Sequence, residues 1–430
     1  MISTDSRQLD ISALVQSDRV HSRIYTDPAV FEIEMKRIFE KLWLFVGHES
    51  EIPQSGDYKL RRMGKTPVIF IRGRDNVIRV LVNRCRHRGA QVCESEAGNA
   101  RRFTCWYHGW SYDNTGALTG ITQPEGYDAS LKASEMGLSA VPRIDSYRGF
   151  VFASLSSTGE SLRESLAHTT SRIDLLVDSS PTQEVFLDVG HNRTYYRGNW
   201  KLQGMDGYHP NYLHASVVAG WKRNADKGVG STHRDDPYTD SALSRTRDLG
   251  NGHCMLDLVP HRIKSFDKQR AFLEKVTGGP AYIESMERVY GPERAKTIIA
   301  AGGDPHIGVF PNLQIANNHV RIVNPISPSY TEMVLLPVRV GGMSPEMNAE
   351  RLRQHESFYG PCGAGAPDDA EMFERVQKGL SAELNPWLLI SRGLHRQKAD
   401  EEGNIVGLIT DEVTQRAQIK RWKQLMEVAE

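Results

Sequence analysis

The chain has 430 residues, enough for two or three domains at about 150 residues each. Its 53 Lys and Arg residues balance its 53 Asp and Glu residues, so the charge argues against a nucleic-acid-binding protein. Hydrophobic residues make up 39% of the chain, and no apolar run approaches the ~20 residues of a membrane helix, which predicts a globular protein without a membrane span.

The first residues, from Met1 to Asp5, have neither the basic nor the apolar segment of a secretory signal, so a cytoplasmic location is expected. The five cysteines are an odd number and do not suggest a disulfide framework. In a reducing compartment, cysteines that cluster in the sequence indicate metal or redox chemistry.

The predicted elements begin with a helix and continue with a β-rich stretch. Asp27 and Pro28 are typical of a helix start, and apolar residues at helical spacing predict a helix over 28–43. Short β-branched runs joined by turns then predict a compact β domain over 41–155.

The rest of the chain mixes helices with strands. The pattern predicts helices over 265–300 with a break at 278–280, a hairpin of 320–323 with 333–340, and an amphipathic helix over 413–429. Residues 223–255 are polar and rich in Gly and Asp, which is typical of a long loop over a site.

Four possible metal ligands come from two loops: Cys85, His87, Cys105 and His108. Two thiolates and two imidazoles can bind one zinc ion, or a [2Fe–2S] cluster with the thiolates on one iron and the imidazoles on the other. Zinc fingers usually pair Cys with Cys across two to four residues, whereas here each loop supplies one Cys and one His. The pattern therefore favours the cluster, and Cys93 is interpreted as an ordinary buried cysteine.

His209 and His214 form a second candidate centre. Non-haem iron that activates O2 is held by two histidines and one carboxylate. Residues five apart on an ideal helix point roughly 140° away from each other, and Pro210 would disrupt a helix. An irregular turn is therefore expected. Such a pair taken alone is often two ordinary polar residues, but beside a cluster motif it is the expected acceptor of the electrons.

The segments RCRHRG at 84–89 and CWYHGW at 105–110 resemble the C-x-H-x17-C-x2-H motif of Rieske-type aromatic-ring-hydroxylating oxygenase α subunits. The resemblance extends over about 20–430. It implies a [2Fe–2S] cluster on the four loop residues, mononuclear Fe(II) on His209 and His214, and Asp206 as an electron bridge to His108 of a neighbouring subunit. A helix cap is the alternative role for Asp206.

The third iron ligand is expected far downstream, since 358–373 resembles the G-P-A-G…D-D segment of the family. The resemblance implies Asp369, with Asp368 or Glu371 as alternatives. The same residues also have the pattern of a helix start, with Asp368 as N-cap and Glu371 at N3. The segment before Asp206 is shorter than in the family and lacks its asparagine near the iron, for which Gln203 is a candidate substitute.

The resemblance also implies an α+β fold, with the all-β Rieske domain at 41–155 inserted into a catalytic domain of 1–40 and 156–430. That domain is expected to have a large antiparallel sheet flanked by helices, in a helix-grip-like arrangement. A ring-shaped trimer is implied, either α3 or, with a small β subunit, α3β3. The expected electron donor is NAD(P)H acting through a ferredoxin, a flavin reductase or both.

The implied activity is O2-dependent hydroxylation or cis-dihydroxylation of an aromatic acid or hydrocarbon. The alternatives are monooxygenation, including O-demethylation, and a non-enzymatic electron-transfer or zinc-binding protein. Arg84, Arg86 and Arg88 are either a solvated face or a docking site for an acidic donor. The predicted pocket residues, each with core packing as the alternative role, are Leu213, Val217, Val218, Phe310, Leu313, Ile315 and Phe358.

Overall fold

The computed structural model describes residues 10–128, 130–210, 213–219, 243–316 and 318–428. Most of the predicted loop over 223–255 lies outside these residues. Its last part is not a loop, because Arg245–Asp248 and Cys254–Asp257 pair as antiparallel strands. None of the helices in the described ranges is long and apolar enough to cross a membrane.

The β-rich stretch forms three antiparallel sheets in the described residues. The first sheet has, in spatial order, Ile78–Val82, Thr66–Arg72, Asp57–Met63 and Ala97–Asn99. The second has Arg102–Thr104, Ser111–Asp113 and Leu118–Gly120, and the third has Arg143–Tyr147, Phe150–Ser154 and Leu44–His48. The two loops with the predicted cluster ligands follow Ile78–Val82 and Arg102–Thr104.

A large sheet of nine strands dominates the rest of the described chain. In spatial order its strands are Asn192–Tyr196, Tyr330–Pro337, His319–Ser327, Leu313–Ala316, Ile307–Val309, Cys254–Asp257, Arg245–Asp248, Ile405–Leu408 and Lys398–Ala399. All neighbouring strands are antiparallel. Two short pairs lie outside it, Arg19–His21 with Trp387–Leu389 and Val185–Phe186 with Arg339–Val340. The predicted α+β fold is confirmed.

The two faces of the large sheet differ in polarity because side chains alternate along a strand. On one face, Leu313, Ile315, Val320 and Ile322 belong to an apolar cluster that also contains Phe150 from the β-rich stretch. On the other face, Gln314 lies directly opposite Arg321 in the strand register. The face that carries Gln314 and Arg321 is turned toward the π-helix Leu202–Asp206, from which Gln203 donates to Gln314 at 3.0 Å.

The helices agree with the predicted pattern in most places. Asp27 caps the helix Pro28–Glu34, because Oδ1 of Asp27 accepts from the Ala29 N–H at 2.8 Å. This helix was predicted to extend to residue 43, but it continues as a π-helix, Met35–Phe39, and ends there. The α-helices of the described residues include Arg23–Thr26, Pro28–Glu34, Leu162–Leu166, Thr170–Val177, Val259–Lys264, Phe266–Leu273, Gly279–Tyr290, Pro292–Ala301, Pro345–Tyr359, Ala366–Gly379 and Val413–Glu427.

Candidate metal centres

The two cysteine loops have the same main-chain hydrogen bonds. In each, the cysteine N–H donates to the carbonyl five residues later, at 2.7 Å for Cys85 and 2.8 Å for Cys105. The glycine four residues later donates back to the cysteine carbonyl, at 3.0 Å and 2.9 Å respectively. These glycines, Gly89 and Gly109, have φ values of +81° and +71°, which side chains rarely adopt. The loops are therefore a matched pair that presents its ligands in similar ways.

The imidazoles of the two loops lie side by side. The ring centroids of His87 and His108 are 4.6 Å apart, and His87 stacks on Trp110 at 5.1 Å with an interplanar angle of 7°. Nδ1 of each histidine is buried and has no hydrogen-bond partner in the described part of the chain. Buried polar atoms are nearly always bonded, so two unbonded imidazole nitrogens fit the binding of a metal.

The two thiols complete a donor set that suits two metal ions better than one. Cys85 and Cys105 are free and buried, and Sγ of Cys85 lies 3.2 Å from the Tyr112 hydroxyl. A single zinc ion needs donor atoms roughly 4 Å or less apart. In the described residues, three possible metal-donor atoms within 4.8 Å of one another are found at His214, Asp368 and Asp369, and none of the four loop residues belongs to such a group. The spacing therefore fits a two-iron cluster.

At the second centre, the histidine nitrogens converge. The Nε2 atoms of His209 and His214 contact each other. Nδ1–H of His209 donates to the main-chain carbonyl of Asp206 at 2.8 Å, and Nδ1–H of His214 donates to Oδ2 of Asp368 at 2.8 Å. Partners on Nδ1 direct Nε2 toward a shared ligand and set the tautomer. A π-helix, Leu202–Asp206, precedes the pair, so the expected irregular geometry is present.

Two carboxylates face His214 from the start of the helix Ala366–Gly379. His214, Asp368 and Asp369 each offer a donor atom within 4.8 Å of the others, and Oδ1 of Asp369 lies 3.7 Å from Nδ1 of His214. The prediction that Asp368 is the N-cap is wrong, because Gly365 has that place and both aspartates lie in the first turn. The exposed Glu371 bonds Arg375 instead.

Asp206 is half-buried and is the last residue of the π-helix Leu202–Asp206. Its carboxylate accepts from the Tyr25 hydroxyl at 3.0 Å, and only its main-chain carbonyl meets His209. Burial raises the pKa of the Asp206 carboxyl to about 7, although the Tyr25 hydrogen bond opposes this shift. Asp206 is the last residue of this π-helix, whose N-cap is Lys201 and whose C-cap is Gly207, so the helix-cap role does not fit.

Burial also sets the protonation of the metal-facing groups. It lowers the pKa of His209 to about 4, and the neighbouring His214 adds to this effect. It raises the pKa of Asp369 to about 6, against the opposing charges of Arg321 and His214. A neutral imidazole has a free lone pair, so the protein prepares His209 for coordination.

Known proteins resemble this chain over most of its length. A family model of the Rieske [2Fe-2S] domain matches residues 42–140. The chain is 34% identical over 397 residues to the anthranilate 1,2-dioxygenase large subunit of Acinetobacter baylyi, covering 88% of this chain and 81% of that relative. It is 31% identical over 406 residues to the 2-halobenzoate 1,2-dioxygenase large subunit of Burkholderia cepacia, covering 90% and 83%.

A solved structure agrees with these relatives. Naphthalene 1,2-dioxygenase from Rhodococcus sp., bound to indole, matches with a TM-score of 0.78 and 27% identity over 95% of this chain and 94% of the other. The chain belongs to the large subunits of the Rieske aromatic-ring-hydroxylating dioxygenases. This Rieske oxygenase is therefore an oxidoreductase that uses a [2Fe–2S] cluster and a mononuclear iron. Its relatives are subunits of multi-component enzymes.

The cluster loops of the Rieske oxygenase reach the surface. Trp106 is 94% exposed and Tyr107 is 61% exposed, and the side chains of Arg84, Arg86 and Arg88 are exposed as well. These aromatic and basic side chains form an exposed rim around the cluster loops. Cys93, in contrast, is buried, as predicted.

The predicted pocket residues of the Rieske oxygenase lie in different parts of the structure and do not form one pocket around the histidines. Leu313 and Ile315 are not beside the histidines, because strand alternation turns them to the apolar cluster on the opposite face of the large sheet. Phe310 packs against Trp200, with ring centroids 6.2 Å apart. The others follow His214 or lie before the aspartate helix: Leu213 is exposed, Val217 is buried, and Val218 and Phe358 are half-buried.

Sequence reasoning missed two polar residues of the sheet face turned toward the site. Nε2 of Gln203 donates to Oε1 of Gln314 at 3.0 Å, and Nη1 of Arg321 donates to the same oxygen at 2.9 Å. Both sheet residues are buried between apolar neighbours in their strands. The sequence does contain a signal for them, since Gln314 and Arg321 each lie between two β-branched or leucine residues of a predicted strand-like run. Gln203 is thus tied to the sheet.

A cavity of about 430 Å³ lies elsewhere on the Rieske oxygenase. It is lined by the strand residues 193–195, by Tyr359 and by the first turn of the helix Ala366–Gly379. Neither of the metal-facing histidines lines it. It is therefore not the metal site, although Tyr359 is shared with the surroundings of Arg321.

Proposed function

We propose that this enzyme adds oxygen to the ring of an aromatic acid or an aromatic hydrocarbon, with an arene cis-dihydrodiol as the expected product. The observation that carries the proposal is the convergence of His209 and His214 beside two carboxylates, in a chain that also has the cluster loops. Two relatives are named for anthranilate and 2-halobenzoate, both of which are aromatic acids.

The ligand assignment is part of the proposal. Cys85, His87, Cys105 and His108 would hold the cluster, while His209, His214 and Asp369 would hold the mononuclear iron. When bound, the iron supplies the activation of O2, and the cluster supplies electrons.

The surrounding residues orient these ligands. The Asp206 carbonyl holds the ring of His209, and Asp368 holds that of His214. Residues that fix the other ring nitrogen of a metal-bound histidine strengthen its binding and its orientation. We assign the carboxylate of Asp206 as the bridge toward His108 of a neighbouring subunit. Its half-buried position, next to the main chain that holds His209, favours this role.

The same proposal extends to domains and partners. The Rieske domain would comprise 41–155, and the catalytic domain 1–40 and 156–430. We propose a trimer, α3 or α3β3 with a small β subunit, reduced by NAD(P)H through a ferredoxin or flavin reductase in the cytoplasm. The exposed Trp106 and the basic rim of the cluster loops provide the surface for such a contact.

Metal analysis tests the assignment of the centres. The purified enzyme should contain about three irons per chain, two from the cluster and one mononuclear, and show a Rieske-type EPR signal when reduced. Cys105→Ser should abolish the signal, while Cys93→Ser, at a buried cysteine outside the motif, should retain it. Zinc in place of iron would contradict the proposal.

Product analysis tests the reaction. With 18O2 and a panel of aromatic acids and hydrocarbons, both labelled atoms should enter a dihydrodiol. One labelled atom would indicate monooxygenation, the second candidate. Asp206→Asn should keep the cluster reducible and reduce product formation, and normal turnover in that variant would contradict the bridge.

A further inference from the structure

Arg321 has a guanidinium group that is buried in the middle of the large sheet. The residue is 6% exposed. Nη1 donates to Gln314, whereas Nε is buried and has no acceptor in the described ranges. No described residue accepts a hydrogen bond from Nη2 either. The edge formed by Nε and Nη2 therefore remains available for a ligand.

Arg321 also lacks an ion-pair partner among the described residues. Its charge opposes the effect of burial on the pKa of Asp369, which places the two side chains in the same part of the molecule. However, the carboxylates of Asp368 and Asp369 lie at 2.8 and 3.7 Å from Nδ1 of His214, and neither forms an ion pair with Arg321. A buried cation without an adjacent anion is destabilising, and a bound anion would remove that cost.

A second polar group, His355, is buried beside the same place. Its residue is 1% exposed, and neither ring nitrogen has a hydrogen-bond partner in the described structure. Oε1 of Glu356 lies 3.7 Å from Nε2, which is beyond hydrogen-bonding distance. The ring centroid of Tyr359 is 5.6 Å from Cζ of Arg321 and 6.1 Å from the His355 ring. Tyr359 thus connects the two unsatisfied groups.

We propose that Arg321 binds the carboxylate of an aromatic acid substrate through Nε and Nη2, with His355 beside the same site. The planar edge of a guanidinium presents two parallel N–H donors, which match the two oxygens of a carboxylate. Arg321 would thereby hold the ring on the side of the sheet that faces Asp369 and His214. This inference rests on the proposed oxygenase function and selects acids over hydrocarbons as the substrate class.

Binding to the resting enzyme tests the inference without turnover. Isothermal titration calorimetry of the oxidised, iron-loaded enzyme would compare benzoate and 2-aminobenzoate with their neutral carboxamides. The acids should bind at least about tenfold more tightly than the amides, because a charge-assisted bidentate pair is stronger than a neutral hydrogen bond. Equal binding of acids and amides, or no detectable binding of any of them, would overturn the inference.

Variants assign the preference to Arg321. Arg321→Gln should weaken binding of the acids by about tenfold or more and leave the amides nearly unchanged, because only the charged group is lost. Arg321→Lys retains the charge and should keep part of the preference. Arg351→Gln is the matched control, since Nε of Arg351 is buried and unbonded like Nε of Arg321, while Nη1 of Arg351 donates to the Gly302 carbonyl at 2.9 Å.

The outcomes separate recognition from catalysis. A loss of affinity for acids and amides alike in Arg321→Gln would indicate a structural role and refute carboxylate recognition. If Arg321→Gln does not fold, the comparison of acids with amides on the unmodified enzyme and on Arg321→Lys still decides. Acids that bind through Arg321 but take up no labelled oxygen would refute the proposed oxygenation and leave the recognition intact.

Discussion

The hydroxyl of Tyr25 donates to Oδ2 of Asp206 at 3.0 Å, although 181 positions separate the two residues. Tyr25 is buried, Asp206 is half-buried, and Tyr25 comes from the short N-terminal helix Arg23–Thr26. The carboxylate of Asp206 thus bonds to Tyr25, whereas His209 bonds to the main-chain carbonyl of Asp206. Tyr25 is therefore in a position to set the orientation of the proposed electron bridge.

Tyr25→Phe should reduce the coupling of electron transfer to product. The substitution removes a hydrogen bond that the half-buried Asp206 carboxylate accepts, at a cost of about 1–3 kcal/mol, and frees the carboxylate to rotate. We expect several-fold less product per O2 consumed, with an unchanged cluster EPR signal. Tyr282→Phe is the control, since it removes a buried hydroxyl that donates to the Ser179 carbonyl at 2.8 Å, far along the chain. Wild-type coupling in Tyr25→Phe would exclude this role.

Glu34 and Lys201 form a buried ion pair that connects the helix Pro28–Glu34, the start of the π-helix Leu202–Asp206 and the helix Val413–Glu427. Nζ of Lys201 lies 2.6 Å from Oε1 of Glu34, and both side chains are fully buried. The carboxylate of Glu34 also accepts from the indoles of Trp200 and Trp422, at 2.9 and 2.7 Å. Burial lowers the pKa of Lys201, and Glu34 opposes this shift.

Glu34→Gln should therefore destabilise the protein strongly, by about 3–5 kcal/mol, because it leaves a buried ammonium without its counter-charge. Urea unfolding would measure the change. The double variant Glu34→Gln with Lys201→Met should recover part of the loss. Glu32→Gln is the exposed control, since its pair with Lys65 is about half-exposed on both sides and such pairs contribute little. A loss in Glu34→Gln no larger than in the control would contradict the prediction.

The two aspartates should differ in their effect on iron. Asp369→Asn should lose the mononuclear iron and retain the cluster, because an amide is a poor replacement for a carboxylate ligand. Asp368→Asn should retain iron with about 10–100-fold weaker affinity, because it loses an acceptor that orients His214. Iron content per chain distinguishes the two. The reverse order of effects would make Asp368 the ligand.

The loop glycines should be needed for the cluster. A Cβ on Gly109 would lie 2.3 Å from Oγ1 of Thr122, in a backbone conformation with φ of +71°. Gly109→Ala should cost about 1–3 kcal/mol locally and lower the amount of bound cluster, as measured by iron content and visible absorbance. Gly126→Ala, where a Cβ meets nothing within 4 Å, should bind a full cluster. Full cluster binding in Gly109→Ala would show that the loop can adapt.

The sequence alone predicts the cluster ligands because these residues lie in short loops with local hydrogen bonds. Cys85 and Cys105 each bond to a residue five positions away, so the local pattern contains most of the geometry. The N-cap at Asp27 and the irregular turn at His209 follow from similarly local rules. The prediction of Asp368 as the N-cap was wrong because the helix begins earlier, at Ala366, with Gly365 as its N-cap.

What the sequence by itself determined is thus the kind of chemistry: two metal-binding motifs, their order and an α+β fold around them. Only the tertiary structure decided which distant side chains surround them. Tyr25 reaches Asp206 and Arg321 reaches Gln314 through packing and strand register, which no local pattern contains. Leu313 lies on the opposite face of the sheet, because alternate residues of a strand point to opposite sides. Which of the two sides faces the site depends on how the strand pairs with its neighbouring strands.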